Sequence, residues 1–232
     1  MHTSTENPSR ALILSGNGRY ADPWHPFGAT SACLAALLRD AGWSVEVRED
    51  VDAALGGLDS VDLLVVNTGD PARNNDGVTD VADPAAIAVA TASLDAALER
   101  GIGVVAIHTA VSSLRDYPRW VEVVGGEWRP GTSWHPPIAQ SEVEIVDPGH
   151  PITDGVTGIS LYDEMYTDLV RADDVHVLAA HTLEGVVHPV VWTREDAARA
   201  VVCALGHEAR AYESPELRGM LQRAAEWAVR RR

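Results

Sequence analysis

The sequence predicts an α/β protein with a mostly parallel sheet, helices on both faces and an antiparallel extension of the sheet. Two observations support this prediction: strand-like and helix-like segments alternate in the first half of the chain, and the second half holds several strand-like runs with few helical signals. Alternation of strands and helices is typical of parallel sheets with crossover helices. We expect a disordered lead-in over residues 1–10 and a single domain over residues 11–232.

The first half contains four predicted strands. Residues 11–15 form a short apolar run, and residues 43–47 alternate between apolar and polar. Residues 61–67 are nearly all apolar, which indicates a central strand covered on both faces. Residues 103–107 form the fourth strand.

Two helices are predicted between these strands. The first has apolar residues at helical spacing: Leu34, Leu37, Leu38 and Ala41. The second covers residues 85–100, after a long loop over residues 68–83. Gly42 and Gly101 follow the two helices, at the position where glycine commonly caps a helix C-terminus.

The second half differs in pattern. An insertion around residues 118–138 is rich in Trp, Gly and Pro. Strand-like runs follow it at residues 143–146, 175–180, 189–192 and 200–205. A last helix is predicted to begin with Ser214 as its N-cap and Pro215 at its first position.

The composition restricts the classes of partner. The chain has 18 basic side chains, all of them arginine, against 34 acidic ones, which gives a formal charge of -16. Because phosphate binding needs a basic face, we expect no nucleic-acid partner and no docking on an anionic membrane. The absence of lysine excludes Schiff-base chemistry. No apolar run reaches the about 18 residues of a membrane helix, and the polar N-terminus lacks a signal-peptide core, so the predicted location is cytoplasmic.

Histidines follow two of the predicted strands. His108 comes directly after the strand at residues 103–107, and Gly206, His207 and Glu208 follow the strand at residues 200–205. In open parallel sheets, binding sites form at the carboxyl ends of the strands. We therefore expect two imidazoles to meet over one sheet. The alternatives are a structural histidine bonded to loop backbone, and a surface histidine beside a capping glutamate.

Seven short motifs occur in an order that points to a known family. They are GIGVVAIH (101–108), VGG (124–126), HPP (135–137), HPI (150–152), DEMY (163–166), PVVWTR (189–194) and LGHE (205–208). The chain resembles the ThuA-like proteins of the trehalose-utilisation family over roughly residues 10–230. That family is similar in fold to the class I glutamine amidotransferases, which implies a flavodoxin-like sheet.

The resemblance also sharpens the interpretation of the histidines. In the amidotransferases, the elbow after the corresponding strand carries a cysteine nucleophile, and a later strand carries a His-x-Glu pair. Here His108 occupies the elbow, and His207 and Glu208 are one residue closer than in that pair. Cys33 in a helix and Cys203 in a strand do not fit the elbow, and we expect both to be free thiols. Glutaminase activity is therefore not expected.

With this resemblance we assemble a polar pocket. His25 follows the first strand, His135 lies in the insertion, which we expect to fold over the pocket as a lid, and the resemblance picks out Glu164. The predicted catalytic residues are His108, His207, Glu164 and Glu208. We expect His108 or His207 to be the general base, and Glu164 to be an acid or a ligand.

The same residue types suit two other roles. Imidazoles and carboxylates are zinc ligands, so a divalent metal is a candidate cofactor, held by residues from separate loops. The metal candidates are His25, His108, His135 and His207. The predicted substrate-binding residues are Trp24, His25, Trp128, Trp134 and His135. Their tryptophans would offer flat faces to sugar rings, with ordinary packing as the alternative reading.

The resemblance implies a protein that processes a small carbohydrate in trehalose or keto-sugar utilisation. Hydrolysis, elimination and isomerisation stay open, because they use the same side chains. One alternative is a non-catalytic sugar-binding or accessory protein, and another is a divalent-metal-dependent hydrolase or isomerase. A homo-oligomer is also left open. The remaining histidines are interpreted as structural or solvated: His150, His176, His181 and His188.

Overall fold

The computed structural model describes residues 8–70 and 82–229. The predicted lead-in up to residue 7, most of the predicted loop at 68–83 and the last three residues lie outside this range. Within it, the helices are α1 (Phe27–Asp40), α2 (Val51–Leu55), α3 (Pro84–Arg100), α4 (Arg119–Val124) and α5 (Pro215–Val229). Short 3-10 helices cover Gly18–Tyr20, His108–Ser112 and Ala209–Glu213.

The strands of the first half are β1 (Arg10–Ser15), β2 (Ser44–Arg48), β3 (Leu63–Asn67), β4 (Gly103–Ile107) and β5 (Gly126–Glu127). Those of the second half are β6 (Ala139–Ile145), β7 (Gly158–Asp163), β8 (Val170–Arg171), β9 (His176–Leu183), β10 (Val186–Glu195) and β11 (Arg199–Cys203). Strands β5 and β8 pair only with each other, and the other strands form a single sheet.

The large sheet combines a parallel half and an antiparallel half. Its order is β2-β1-β3-β4-β11-β10-β9-β6-β7. The pairs from β2 to β11 are parallel, and the pairs from β11 to β7 are antiparallel. The predicted antiparallel extension is therefore confirmed, and β11 joins it to the parallel half by pairing with β4. This pairing brings the residues after β4 and β11 to the same edge of the sheet.

Burial along the central strands explains their sequences. Every residue of β3 and β4 is buried, which means that both faces of the sheet are covered there. On the helical layers, α1 contacts α5, and α2 contacts α3. Gly103 lets α5 approach closely, because a Cβ at this position would stand 2.9 Å from the backbone of Ala228.

Local signals predicted several elements well and missed others. The predicted strand at residues 103–107 is confirmed, and Gly101 caps α3 in the left-handed conformation at φ 85°. Cys33 and Cys203 are free, as expected. The sequence interpretation missed α2, α4 and the edge strand β7. None of the helices in the described ranges is long and apolar enough to cross a membrane.

Candidate functional site

His108 occupies a sharp turn at the end of β4. Its φ is +46°, a left-handed conformation that non-glycine residues adopt rarely and at a cost of about 1–2 kcal/mol. The turn places the imidazole over the neighbouring strand end, where Nδ1 lies 3.0 Å from the carbonyl oxygen of Ala204. A carbonyl only accepts, so Nδ1 carries the proton, and in the neutral ring Nε2 presents a lone pair.

Asp163 brings two further residues to this point. Its carboxylate accepts the backbone N–H groups of Glu164 at 2.9 Å, Gly206 at 2.6 Å and His207 at 3.0 Å. Burial raises the pKa of Asp163, although the backbone donors and His108 act in the opposite direction. Asp163 thus connects the end of β7 to the loop after β11. The sequence interpretation assigned it no role, although it lies in the DEMY motif.

The side chains of Glu164, His108 and His207 converge. Glu164 Oε2 lies 3.5 Å from His108 Nε2 and 3.4 Å from His207 Nδ1, and these two nitrogens are 3.3 Å apart. Burial by itself raises the pKa of Glu164, but the two neighbouring imidazoles outweigh it and hold the pKa well below its usual range. Burial lowers the pKa of His207, but Glu164 and nearby carboxylates raise it overall.

His25 approaches from the loop after β1. Its Nδ1 lies 2.7 Å from Oδ1 of Asp22, and its ring centroid is 4.7 Å from that of His207. Burial lowers the pKa of His25 more than Asp22 raises it. The Nε2 atom of His25 is buried and has no hydrogen-bond partner among the described residues.

Four predicted residues therefore form one cluster. Ligand atoms of His25, His108, Glu164 and His207 all lie within 4.8 Å of one another. His135 lies beside this cluster rather than in it, with Nδ1 3.1 Å from the other carboxylate oxygen of Glu164. Glu208, which was expected to be catalytic, belongs neither to the cluster nor to the pocket lining. Glu208 is the N-cap residue of the 3-10 helix at Ala209–Glu213, and its charge is one of those that raise the pKa of His207.

The cluster lies at one side of a pocket of about 470 Å³. Its lining residues are Asp22, Trp24, His25, Asp70, Thr109, Ser112, Trp128, His135, Glu164, Tyr166 and His207. His108 is not among them: it is 2% exposed, and the Tyr166 ring stacks on it at 4.2 Å. His207 and Glu164 therefore face the pocket directly, while His108 contacts them from behind.

The three tryptophans expected to bind sugar have different positions. Trp24 is 65% exposed at the pocket, and Trp128 lines it with its ring 4.6 Å from that of Tyr166. Trp134 is not part of the lining, so the geometry gives no support to its predicted role. Its indole N–H donates instead to Asp168, and this contact attaches the insertion to the segment after β7.

A larger cavity of about 940 Å³ lies elsewhere, between the 3-10 helix at Gly18–Tyr20 and α2. It contains Arg19, whose guanidinium is already bound by Asp52 and Asp116. None of the described residues that line this cavity is a histidine. The smaller pocket is therefore the candidate site, because it combines a concave surface with the convergent imidazoles and carboxylate.

Three solved structures are similar to this chain in fold. A crystal structure of a ThuA-like protein from Parabacteroides merdae matches with a TM-score of 0.76 and 17% identity, over 96% of this chain and 90% of that one. A cytoplasmic protein from Salmonella typhimurium matches with a TM-score of 0.66 and 15% identity, over 96% and 100% of the two chains. A glutamine amidotransferase from Thermotoga maritima matches with a TM-score of 0.59 and 12% identity, over 97% and 100%.

At these identities the structures establish the fold, which is the expected class I glutamine amidotransferase-like one. A search of curated proteins finds no match. The model of the ThuA family, described as trehalose utilisation, matches residues 10–228. This match covers nearly the whole chain, and the chain therefore belongs to the ThuA family.

Proposed function

We propose that this protein is an enzyme that processes a small carbohydrate of trehalose or keto-sugar utilisation, with its chemistry at the His/Glu cluster. The observation that carries the proposal is the convergence of His207, Glu164 and His108 beside a pocket that the rings of Trp24 and Trp128 also line. The family description supports the class of substrate. The pocket volume of about 470 Å³ is in the range of small-molecule sites.

The lining suits a sugar. Trp24 and Trp128 offer apolar ring faces, and Asp22 and Asp70 offer carboxylate oxygens that accept hydrogen bonds from hydroxyl groups. Asp70 is itself held by the guanidinium of Arg115, with both of its oxygens 2.9 Å from Arg115 nitrogens. Such fixed polar groups beside apolar surfaces give orientation and specificity to a small ligand.

The groups at the cluster suit proton transfer. His207 faces the pocket as the candidate general base, and His108 and Glu164 fix its position and charge. Hydrolysis, elimination and isomerisation all need such a group, so the proposal is proton transfer on a sugar and does not name one product. A glutaminase reaction is not part of the proposal, because the elbow residue His108 has no thiol.

The test is turnover of trehalose and its 3-keto derivative, with products identified by mass spectrometry. We expect His108→Ala and His207→Ala to lower turnover by at least about 100-fold, the usual contribution of a positioned acid or base. His176→Ala is a matched control, because this exposed histidine on β9 lies outside the pocket. Turnover that is unchanged in both cluster variants contradicts the proposal. Binding of sugar without any product would identify a non-catalytic sugar-binding protein instead.

A further inference from the structure

We infer that His25, His108, Glu164 and His207 form a binding site for a divalent cation of the zinc type. The inference concerns the same site as the proposed function and rests on it only for the role of the ion toward a sugar. Three imidazoles and one carboxylate are a donor set that Zn²⁺ commonly uses. The four donor atoms come from four separate segments of the fold and lie within 4.8 Å of one another.

The distances among three of the four donors fit an ion bound between them. Ligand atoms at about 2.1 Å from a tetrahedral ion are about 3.4 Å from one another. The three distances that join His108 Nε2, His207 Nδ1 and Glu164 Oε2 are 3.3, 3.4 and 3.5 Å. These three atoms therefore have the spacing of one face of a coordination tetrahedron.

The hydrogen bonds around the cluster orient the imidazoles as ligands. Metal-binding histidines usually donate their other ring N–H to a carboxylate or a carbonyl. His25 does so to Asp22, and His108 does so to the carbonyl of Ala204. In both rings the Nε2 lone pair is thereby directed at the cluster, and the buried Nε2 of His25 has no other partner in the described ranges.

A cation also explains the close approach of His108 to Glu164. The lone pair of His108 Nε2 faces the carboxylate oxygen of Glu164 at 3.5 Å, and two acceptors at this distance repel each other. A cation between these two atoms removes the repulsion, as would a proton on Nδ1 of His207, which lies 3.3 Å from His108 Nε2 and 3.4 Å from Glu164 Oε2. The other Glu164 oxygen faces His135 at 3.1 Å, so one oxygen is left for the ion.

An ion at the cluster would be accessible from the pocket and could take part in the proposed reaction. His207, His25 and Glu164 line the pocket, so a ligand in it would reach the ion from that side. Zinc accepts a fifth ligand and polarises a bound carbonyl as a Lewis acid. A keto group or a hydroxyl of the sugar is the chemical group that such an ion would bind.

The first experiment measures metal without any substrate. The protein is purified without chelator and analysed for bound metal. A metal-free sample is then titrated with Zn²⁺ by calorimetry and with Co²⁺ by visible absorption. We expect about one equivalent per chain. Less than about a tenth of an equivalent on purification, together with no binding of added Zn²⁺ or Co²⁺, overturns the inference.

Variants locate the ion at this cluster. His108→Ala and Glu164→Gln should each weaken Zn²⁺ binding by more than the about 10–100-fold that we expect from Asp22→Asn, which removes only the partner of His25. His176→Ala is the control and should bind Zn²⁺ as the unaltered protein does. Circular dichroism establishes that each variant is folded. Equal Zn²⁺ affinity in His108→Ala, Glu164→Gln and the unaltered protein overturns the inference.

Different experimental results would contradict the proposed function and the proposed metal site. A protein that binds one ion at the cluster but converts no sugar contradicts the proposed function and leaves the metal site in place. Undiminished turnover of a sugar by metal-free protein contradicts a role of the ion in the reaction, and is the result expected from proton transfer without a metal.

Discussion

Asp163 is the residue on which the geometry of the site depends most. It is 1% exposed and contacts no pocket surface, yet it fixes the backbone of both Glu164 and His207. The resemblance identified Glu164, because that residue lies in a recognisable motif. The role of Asp163 could not be predicted in the same way, because two of its partners are backbone N–H groups more than 40 positions away, which carry no side-chain signal.

We predict that Asp163→Ala lowers the free energy of unfolding by about 3 kcal/mol, because it leaves two buried N–H groups and one half-buried N–H group without their acceptor. It should also abolish Zn²⁺ binding at the cluster, since His207 and Glu164 would no longer be held together. Urea denaturation measures the first effect. Asp154→Ala is a control on the exposed surface and should change stability little. Equal midpoints for the Asp163→Ala and unaltered proteins would contradict this prediction.

The two cysteines provide a second test at this scale. Burial raises the pKa of Cys203 to about 12 and also raises the pKa of the half-buried Cys33. Because the thiolate is the reactive form, we predict that the native protein reacts slowly with a disulfide reagent at pH 7.5, and that the denatured protein releases two equivalents. Rapid loss of one thiol in the native protein would reveal an activated cysteine and reopen the question of thiol-based catalysis.

At the scale of the elements, length and the continuity of the apolar pattern decided what the sequence could predict. Helix α3 and strand β4 were recognised because apolar residues repeat through their whole length and Gly101 separates them. Helix α2 has five residues and α4 has six, which is too short for a helical repeat to stand out. Strand β7 has six residues, one more than β4, but it was missed because its buried positions only alternate and no apolar run marks it.

The contact between β4 and α5 gives a prediction for Gly103. An added Cβ would stand 2.8 Å from Cγ1 of Val229 and 2.9 Å from the backbone of Ala228, so the helix would have to move. We predict that Gly103→Ala lowers the free energy of unfolding by about 1–3 kcal/mol. Thermal unfolding measures the change.

Gly219, inside α5, provides the matched control. A Cβ there meets only the flexible end of Arg223 at 3.3 Å, and alanine favours a helix over glycine by about 1 kcal/mol. Gly219→Ala should therefore be neutral or stabilising. If both variants were equally stable, the close approach of α5 to β4 would not be a constraint on the fold.

At the scale of the whole molecule, the parallel half of the sheet could be predicted from local sequence patterns, but the order of the strands in the sheet could not. Strand β4 pairs with β11, and these strands are separated by more than 90 positions in the sequence. Strands β6 and β7 lie at the far edge of the sheet although they precede β9 and β10 in the chain. Such pairing depends on long-range packing, so the sequence could predict an antiparallel extension but not its arrangement. The meeting of His108 and His207 depends on this same pairing.

The antiparallel half of the sheet contains a pair of buried histidines. We expect the protonation of this pair to affect the stability of the whole molecule. His181 on β9 and His188 on β10 are directly opposite in the sheet, and their rings stack at 5.1 Å. His181 Nε2–H donates to the carbonyl of Tyr166, and His188 Nδ1 accepts the N–H of Asp168. Burial lowers the pKa of His181, although the Tyr166 carbonyl favours its charged form, and the charge of His188 lowers it further.

The lowered pKa of His181 determines the direction in which pH changes the stability of the fold. The unfolded chain binds a proton at His181 near pH 6.5, and the folded chain binds it only at a lower pH, so acid favours the unfolded state in this window. We predict that the unfolding temperature falls as the pH is lowered from 7.5 to 5.5. The fall should be smaller in His181→Gln, whose amide can still donate to Tyr166 but does not titrate. Thr182→Ala, at the adjacent exposed position, should keep the slope of the unaltered protein. An equal fall in His181→Gln and the unaltered protein would mean that the pair on β9 and β10 does not control stability in acid.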